Sequence, residues 1–270
     1  MSHFTVGVST PTGKLQDVRN LLAKYDESKI RKIIRTKEEV IQLDREANRE
    51  VKESKQYQTY LNLSKEEFLE TYHELSYIYL QEVMEPTINQ TDEEIYQENL
   101  KHHDKNDVMD DGSLVYYENP DAKWDDWSIG GRWNGFITKF NGQRVNNASI
   151  KDINFELQKQ ERQRFENIWS MVENGNDVNH VFPHTHFDIL ADFIKATFKT
   201  KEEYIEFAAR MTTFAMVLPD GEWIQKGNMG WFGVSDSTPQ SEYDYTVRAF
   251  EELEKYKALG YHLTIVDCHI

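Results

Sequence analysis

The stretch KWDDWSIGGRWNGF (123–136) concentrates residue types that could bind a ligand. Its two adjacent glycines permit unusual backbone angles and the close approach of another group. The arginine that follows offers a planar guanidinium for a carboxylate or phosphate, and the tryptophans offer flat faces for a base or sugar. The stretch therefore predicts a site for an anionic ligand with an aromatic part, such as a nucleotide. The candidate ligand-binding residues are Trp127, Gly130, Gly131, Arg132 and Trp133.

The same stretch also fits a glycine turn between two strands, with no ligand. In that alternative Arg132 pairs with Asp125 or Asp126, and the indole rings lie in the core. The position of Arg132 separates the two interpretations, because a ligand site needs it at an open surface and a turn needs it against a carboxylate.

A second loop, KGNMGWFG (226–233), has the same combination of glycine and aromatic residues. Its glycine spacing is not the dinucleotide-binding fingerprint, because the loop follows a predicted hairpin instead of opening a helix. We expect Gly230 and Trp231 to form the other wall of the same pocket. The alternative is a tight loop that only caps the sheet.

Histidines in the segment NHVFPHTHFD (179–188) give a weaker hypothesis. His184 and His186 are two residues apart, so their side chains point the same way on an extended segment, and Asp188 could complete a metal site. Alternatively, Thr185 and Asp188 form the N-terminal cap of a helix and turn the histidines outward. The sequence assigns no cofactor.

Residues at the two ends of the chain could meet at one edge of a sheet, namely His3 with Asp267, Cys268 and His269. A histidine beside a cysteine or an aspartate can act as a base, and we place His3 and His269 near the ligand. Side chains alternate along a strand. If the apolar residues of both strands face one core, His3 lies on the side of Cys268 and away from His269.

Charge and composition restrict the class of protein. The net charge of the 270 residues is −16, and segment 57–111 holds 3 Lys and Arg against 14 Asp and Glu, a net charge of −11. Such a surface repels phosphate backbones, so we expect no direct nucleic-acid binding. The single cysteine, the lack of a signal peptide and the lack of a long apolar run predict a cytosolic protein without a membrane span.

The hydrophobic patterns predict an α+β protein. The outer elements follow the order β-α and then β-β-α-β, which is typical of a ferredoxin-like split βαβ core in which the first and last strands are neighbours. Residues 1–25 and 211–270 would form this core. Residues 26–111 would form an acidic helical insertion, and 112–210 would add the Trp/Gly strand-turn segment and further helices.

Four short segments carry a resemblance: MSHFTV, NPDAKWDDWSIGGRW, DGEWIQKGNMGWFG and the terminal VDCHI. Together they resemble a family of uncharacterised proteins from bacteriophage and prophage genomes, in which a similar opening, a Gly-Gly-Arg-Trp segment, a Gly-Met-Gly-Trp loop and a similar ending recur. The resemblance implies a setting in the bacterial cytoplasm. It implies no activity, and no P-loop, HExxH or paired CxxC motif supplies one.

Two functions follow as expectations. The first is a phage-associated protein that sequesters or converts a small anionic, nucleotide-like ligand, with Trp127, Arg132, Trp133 and Trp231 around it. The second is an acidic antagonist whose helices in 57–111 imitate nucleic acid or bind a basic surface on a host or defence protein. Whether the protein is an enzyme stays open at this stage.

Overall fold

The structure is a computed structural model that describes residues 2–70, 72–155, 159–175, 187–208, 210, 212–229 and 235–270. The chain combines helices with strands, so the predicted α+β class is confirmed. It divides into two compact units. The first comprises Met1–Lys29 and Pro120–Ile270, and the second comprises Ile30–Asn119.

The elements are numbered along the chain. The strands are β1 (His3–Thr10), β2 (Arg31–Arg35), β3 (Leu114–Glu118), β4 (Asp126–Ile129), β5 (Ile137–Thr138), β6 (Arg144–Val145), β7 (Asn147–Ser149), β8 (Ala215–Val217), β9 (Trp223–Gln225) and β10 (His262–His269). The α-helices are α1 (Leu15–Leu22), α2 (Lys37–Glu53), α3 (Lys55–Asn62), α4 (Lys65–Leu69), α5 (Glu74–Tyr79), α6 (Glu85–Ile88), α7 (Asp92–Lys101), α8 (Lys159–Asn174), α9 (Phe187–Thr197), α10 (Lys201–Ala208) and α11 (Pro239–Ala258). A π-helical turn (Leu80–Met84) joins α5 to α6, and a 3-10 turn (Gly131–Trp133) follows β4.

The main sheet of the first unit has the strand order β4-β10-β1-β8-β9, and β7 pairs with the other end of β10. β1 and β10 are antiparallel along their whole length, from His3 opposite His269 to Thr10 opposite His262. The two outer strands therefore pair as predicted. β4 and β7 come from the segment 112–210, so the Trp/Gly stretch is built into the main sheet.

The ferredoxin-like strand order is not confirmed. That order would place β9 between β1 and β8, whereas β1 pairs directly and in parallel with β8. β9 pairs with the edge of β8 that faces away from β1. The result is a βαβ connection with adjacent parallel strands instead of a split one.

Both faces of the sheet are covered by apolar cores. Successive residues of β10 point to opposite faces, and apolar side chains occur on both. Leu263 and Ile265 join Met216 and Ile224 in a first core beneath α11. The second core, on the other face, contains Phe4, Val6, Val8, Val18, Leu22, Tyr25, Trp124, Ala215, Val217, Val266 and Cys268. The expectation of one shared core was therefore wrong, and with it the separation of His3 from His269, because directly paired residues project to the same face.

The second unit holds a two-stranded sheet of β2 and β3 together with α2 to α7. Capping boxes begin three of these helices, α2, α4 and α7. The side chain of the Ser or Thr and that of the Glu three residues later each accept a backbone N–H, so both orphan donors are satisfied. The capping pairs are Thr36 with Glu39, Ser64 with Glu67, and Thr91 with Glu94.

Across the part of the chain that the structure describes, no helix is long and apolar enough to cross a membrane.

Candidate functional site

Two histidines lie side by side where β1 and β10 meet at one end of the main sheet. His3 is directly opposite His269, and their ring centroids are 5.1 Å apart. Asp267 is two residues before His269 and therefore lies on the same face. The histidine side chains are 19% and 17% exposed, so each is partly open to solvent.

Asp267 holds His3 in place. One carboxylate oxygen lies 2.9 Å from His3 Nδ1, and the other accepts the backbone N–H of Arg132 at 2.9 Å. Asp267 is 4% exposed, so its charge is satisfied by these two contacts within the protein. The arrangement suits the tautomer in which Nδ1–H donates to Asp267, which leaves Nε2 of His3 as an acceptor.

His269 lies between two carboxylates of the Trp/Gly stretch. Its Nδ1 is 2.5 Å from Asp125 Oδ1, and its Nε2 is 3.4 Å from Asp126 Oδ2. The atoms of the nearer contact are not aligned for a hydrogen bond, so the buried Nδ1 of His269 has no hydrogen-bond partner among the described residues. The backbone N–H of Asp125 donates to the His269 carbonyl at 2.9 Å, which holds the two residues together. Each ring nitrogen of His269 thus lies near a carboxylate of the Trp/Gly stretch.

The glycine pair allows the backbone to close over Asp267. Gly130 and Gly131 have φ values of +70° and +47°. A Cβ on Gly131 would lie 2.2 Å from Asp267 Oδ2, and a Cβ on Gly130 would lie 2.4 Å from Asn146 Nδ2. Only glycine fits here, and the turn it makes brings the Arg132 N–H onto the Asp267 carboxylate. The stretch is a structural turn that also builds the histidine site.

Arg132 itself is exposed. No carboxylate of the described residues lies within ion-pair distance of its guanidinium, and Asp125 and Asp126 face His269 instead. The alternative in which Arg132 is buried against one of these aspartates is therefore wrong. An exposed arginine whose backbone N–H contacts Asp267, with no ion-pair partner among the described residues, is suited to an anionic ligand.

The tryptophans of the stretch do not line one common pocket. Trp127, opposite Cys268 on β10, packs against the second core beside the buried Trp124. Trp133 packs against the first core, on the other face of the sheet. Stacking between Trp127 and Trp133 is therefore not available to a single ligand. Of the two, Trp133 shares the sheet face of the histidines.

Several predicted site residues fall outside the described residues: Gly230, Trp231, His184 and His186. Asp188 is the second residue of α9. Among the residues that the structure describes, no group of three His, Cys, Asp or Glu side chains is placed to hold a metal ion.

Cys268 is buried in the second core, and burial raises the pKa of its thiol. Its side chain lies on the face of Phe4, whereas His3 lies on the opposite face. The predicted alternative of a Cys268–His3 pair is therefore wrong. A protonated thiol inside an apolar core is a packing residue and a poor nucleophile.

Asp125 is the residue of this site whose role sequence reasoning missed. It was considered as a partner of Arg132, but it contacts His269. The signal is the pair of adjacent aspartates, which can be interpreted only once β4 is known to begin at Asp126 and to pair with β10.

Comparisons with protein-family models, with curated proteins and with solved structures find no match for the chain. The resemblance to bacteriophage and prophage proteins therefore stays a prediction. What the protein does has to be inferred from the chemistry of the site formed by His3, Asp267, His269, Asp125 and Arg132.

Proposed function

We propose that the protein binds a small anionic, nucleotide-like ligand beside His3 and His269, with Arg132 as the charged contact. One observation carries this proposal. Asp267 contacts the His3 ring and also accepts the backbone N–H of Arg132, so the backbone of the arginine is fixed at the carboxylate that holds His3. A guanidinium recognises phosphate or carboxylate oxygens through two parallel N–H donors, which suits such a ligand.

The charge of the chain favours a small ligand over a nucleic-acid polymer. The net charge of −16 repels an extended phosphate backbone, whereas a single anionic group needs only local compensation. Locally, Asp267 and Asp125 are occupied by His3 and His269, which leaves the Arg132 guanidinium for the ligand. The resemblance described above adds the proposal that the protein acts in the cytoplasm of an infected bacterium.

Arg132→Ala is expected to weaken ligand binding by about 1.5–3 kcal/mol, the range for hydrogen bonds to a charged group. This corresponds to a rise in Kd of roughly 10- to 150-fold. Native mass spectrometry of protein purified gently from bacterial cells would identify a bound mass. Calorimetric titration with the common ribonucleoside monophosphates would then compare the wild type with the variant.

The matched control for this experiment is Arg19→Ala, which removes an exposed arginine of α1 in the same unit. It should leave the affinity unchanged. Unchanged affinity in a folded Arg132→Ala protein would instead remove Arg132 from the proposed site.

A second function is favoured by a specific surface of the acidic segment. Leu75, Tyr79 and Val83 are 69%, 54% and 46% exposed, and their spacing of four residues puts them on one helical face. Glu82 lies on the same face and is exposed. We propose that this stripe binds an amphipathic helix of a partner protein whose polar face carries Lys and Arg, because the surrounding segment 57–111 has a net charge of −11.

The partner proposal predicts that Leu75→Ala combined with Glu82→Lys weakens the binding of a synthetic basic amphipathic helix at low salt. Fluorescence anisotropy of the labelled peptide would measure this effect. Added salt should weaken the wild-type complex further, because salt screens exposed charges. Glu251→Lys, an exposed charge reversal on α11, is the control. Binding that survives the double change and grows stronger with salt would contradict the proposal.

A further inference from the structure

We infer that the histidine site is catalytic and hydrolyses a small phosphodiester, with His3 as general base and His269 as general acid. This inference rests on the proposed function, because the anionic group must first bind beside Arg132. The inference rests on the direct pairing of the two histidines across β1 and β10. It also rests on the contacts of His3 and the Arg132 N–H with Asp267, and of His269 with two further aspartates.

His3 has the environment of a general base. Its Nδ1 lies 2.9 Å from Asp267, which is almost completely buried and is itself fixed by the Arg132 N–H. A buried carboxylate at one ring nitrogen orients the imidazole and stabilises the imidazolium that forms when the other nitrogen takes a proton. The His3 side chain is partly exposed, and its Nε2 is the ring nitrogen that does not contact Asp267.

His269 has the environment of a general acid. Asp125 Oδ1 lies 2.5 Å from its Nδ1, so a carboxylate lies beside the ring nitrogen that faces away from Asp126. The contact from Nε2 to Asp126 is longer, at 3.4 Å, and the Asp126 side chain is 74% exposed. The leaving oxygen of the substrate can therefore take the place of Asp126 beside Nε2 and receive the proton that Nε2 carries.

The two rings are held at a fixed spacing. Both project from directly paired residues of two antiparallel strands, with centroids 5.1 Å apart and planes tilted by 43°. Sites built on paired strands are held more rigidly than sites on loops. One tetrahedral phosphorus bound by Arg132 can thus present its attacking water to one ring and its leaving oxygen to the other.

The reaction needs no oxidant, reductant or second substrate besides water. Nε2 of His3 takes a proton from water as the water oxygen forms a bond to phosphorus. The bond from phosphorus to the leaving oxygen breaks, and its electron pair stays on that oxygen. The oxygen takes the proton from Nε2 of His269. The products are a phosphomonoester and an alcohol, and proton exchange with solvent restores both histidines.

The carboxylates around the histidines favour a diester over a monoester as the substrate. Asp125, Asp126 and Asp267 repel a phosphodiester, which carries one negative charge, less than a monoester dianion. An alkyl diester also needs an acid, because an alkoxide leaves poorly without a proton. The total charge of −16 restricts the substrate to a small diester such as a dinucleotide.

Two diester probes test the assignment of base and acid. Thymidylyl thymidine has an alkoxide leaving group that needs a proton, and bis-para-nitrophenyl phosphate has a phenolate that leaves without one. His3→Gln is expected to lower kcat/KM for both probes by about 10²- to 10⁴-fold, the usual contribution of a general base. His269→Gln is expected to lower it to a similar extent for thymidylyl thymidine and by less than about tenfold for the aryl diester.

His262→Gln is the matched control, because His262 lies at the opposite end of β10 and contacts Asn147. It should retain activity on both probes, and thermal unfolding should show that each variant is folded. Wild-type protein that binds the anion through Arg132 but hydrolyses neither diester would overturn this inference and leave the proposed function standing. Activity unchanged in His3→Gln, or lost equally on both probes in His269→Gln, would also overturn it. If the wild-type protein shows no anion binding that depends on Arg132, the proposed function itself is contradicted.

Discussion

Gly131→Ala is expected to lower the free energy of unfolding of the first unit by about 2–5 kcal/mol, from a left-handed backbone and an overpacked side chain together. The φ of Gly131 is +47°, where a Cβ is disfavoured. The new Cβ would also lie 2.2 Å from Asp267 Oδ2 and 2.4 Å from Asp267 Cβ. Because Asp267 is buried in a paired strand, it cannot move away as a flexible surface side chain would.

Gly142→Ala separates the two parts of this effect. Gly142 has a φ of +82°, but nothing lies within 4 Å of a Cβ built on it. The change should therefore remove only the backbone part, about 1–2 kcal/mol. Urea unfolding followed by tryptophan fluorescence reports on the first unit, because all six tryptophans lie outside residues 30–119. Equal destabilisation by the two alanines would show that the backbone does not close over Asp267 as described.

The Gly131 variant also connects the turn with the site. If the backbone must withdraw from Asp267, the Arg132 N–H leaves the carboxylate and His3 loses its orienting partner. Activity on both diesters should then fall even where the variant remains folded. Gly142→Ala should leave activity unchanged at a temperature where it is folded.

The sequence predicted that the glycine pair serves either an unusual backbone angle or a close approach, and both apply. It did not predict what approaches. Asp267 is 136 positions away from Gly131, and the two meet only because β4 and the turn after it lie against β10. Pairing partners depend on long-range register, which a local pattern of residue types does not contain.

The dependence on long-range pairing also explains the other differences between the predicted and the observed structure. Alternation of apolar residues predicted the strands at the two ends, and the order of the elements predicted their pairing, which β1 and β10 confirm. It did not indicate that both faces of the sheet are covered, so His3 was expected beside Cys268 when it lies beside His269. The combination of glycine and tryptophan predicted that Trp127 and Trp133 contact one ligand, whereas they pack on opposite faces of the sheet.

The acidic segment has a core of its own, and Phe68→Ala is expected to destabilise the second unit by about 3–5 kcal/mol, the usual range for removing a buried aromatic ring. Phe68 is fully buried. Its ring stacks on Tyr72 at 4.8 Å and meets the edge of Tyr77 at 5.5 Å. Tyr57, Leu80 and Ile88 complete the cluster around it. Because these residues come from separate short helices, the cavity left by alanine would loosen several of them together.

Leu75→Ala is the matched control, because Leu75 is 69% exposed on the neighbouring helix α5. Its effect on stability should stay within about 0.5 kcal/mol, as for other surface changes. Urea unfolding followed by the helical circular dichroism signal would measure both variants. A loss for Phe68→Ala as small as that for Leu75→Ala would contradict the described core.

The contrast between these two residues also bears on the partner proposal. Phe68 holds the short acidic helices together, whereas Leu75 contributes nothing to that core and is exposed beside carboxylates. If the exposed stripe binds a basic helix, Leu75→Ala should weaken peptide binding while leaving stability intact. Phe68→Ala should weaken binding only at denaturant concentrations that unfold the segment. Equal binding of the peptide to both variants and to the wild type would contradict the partner proposal.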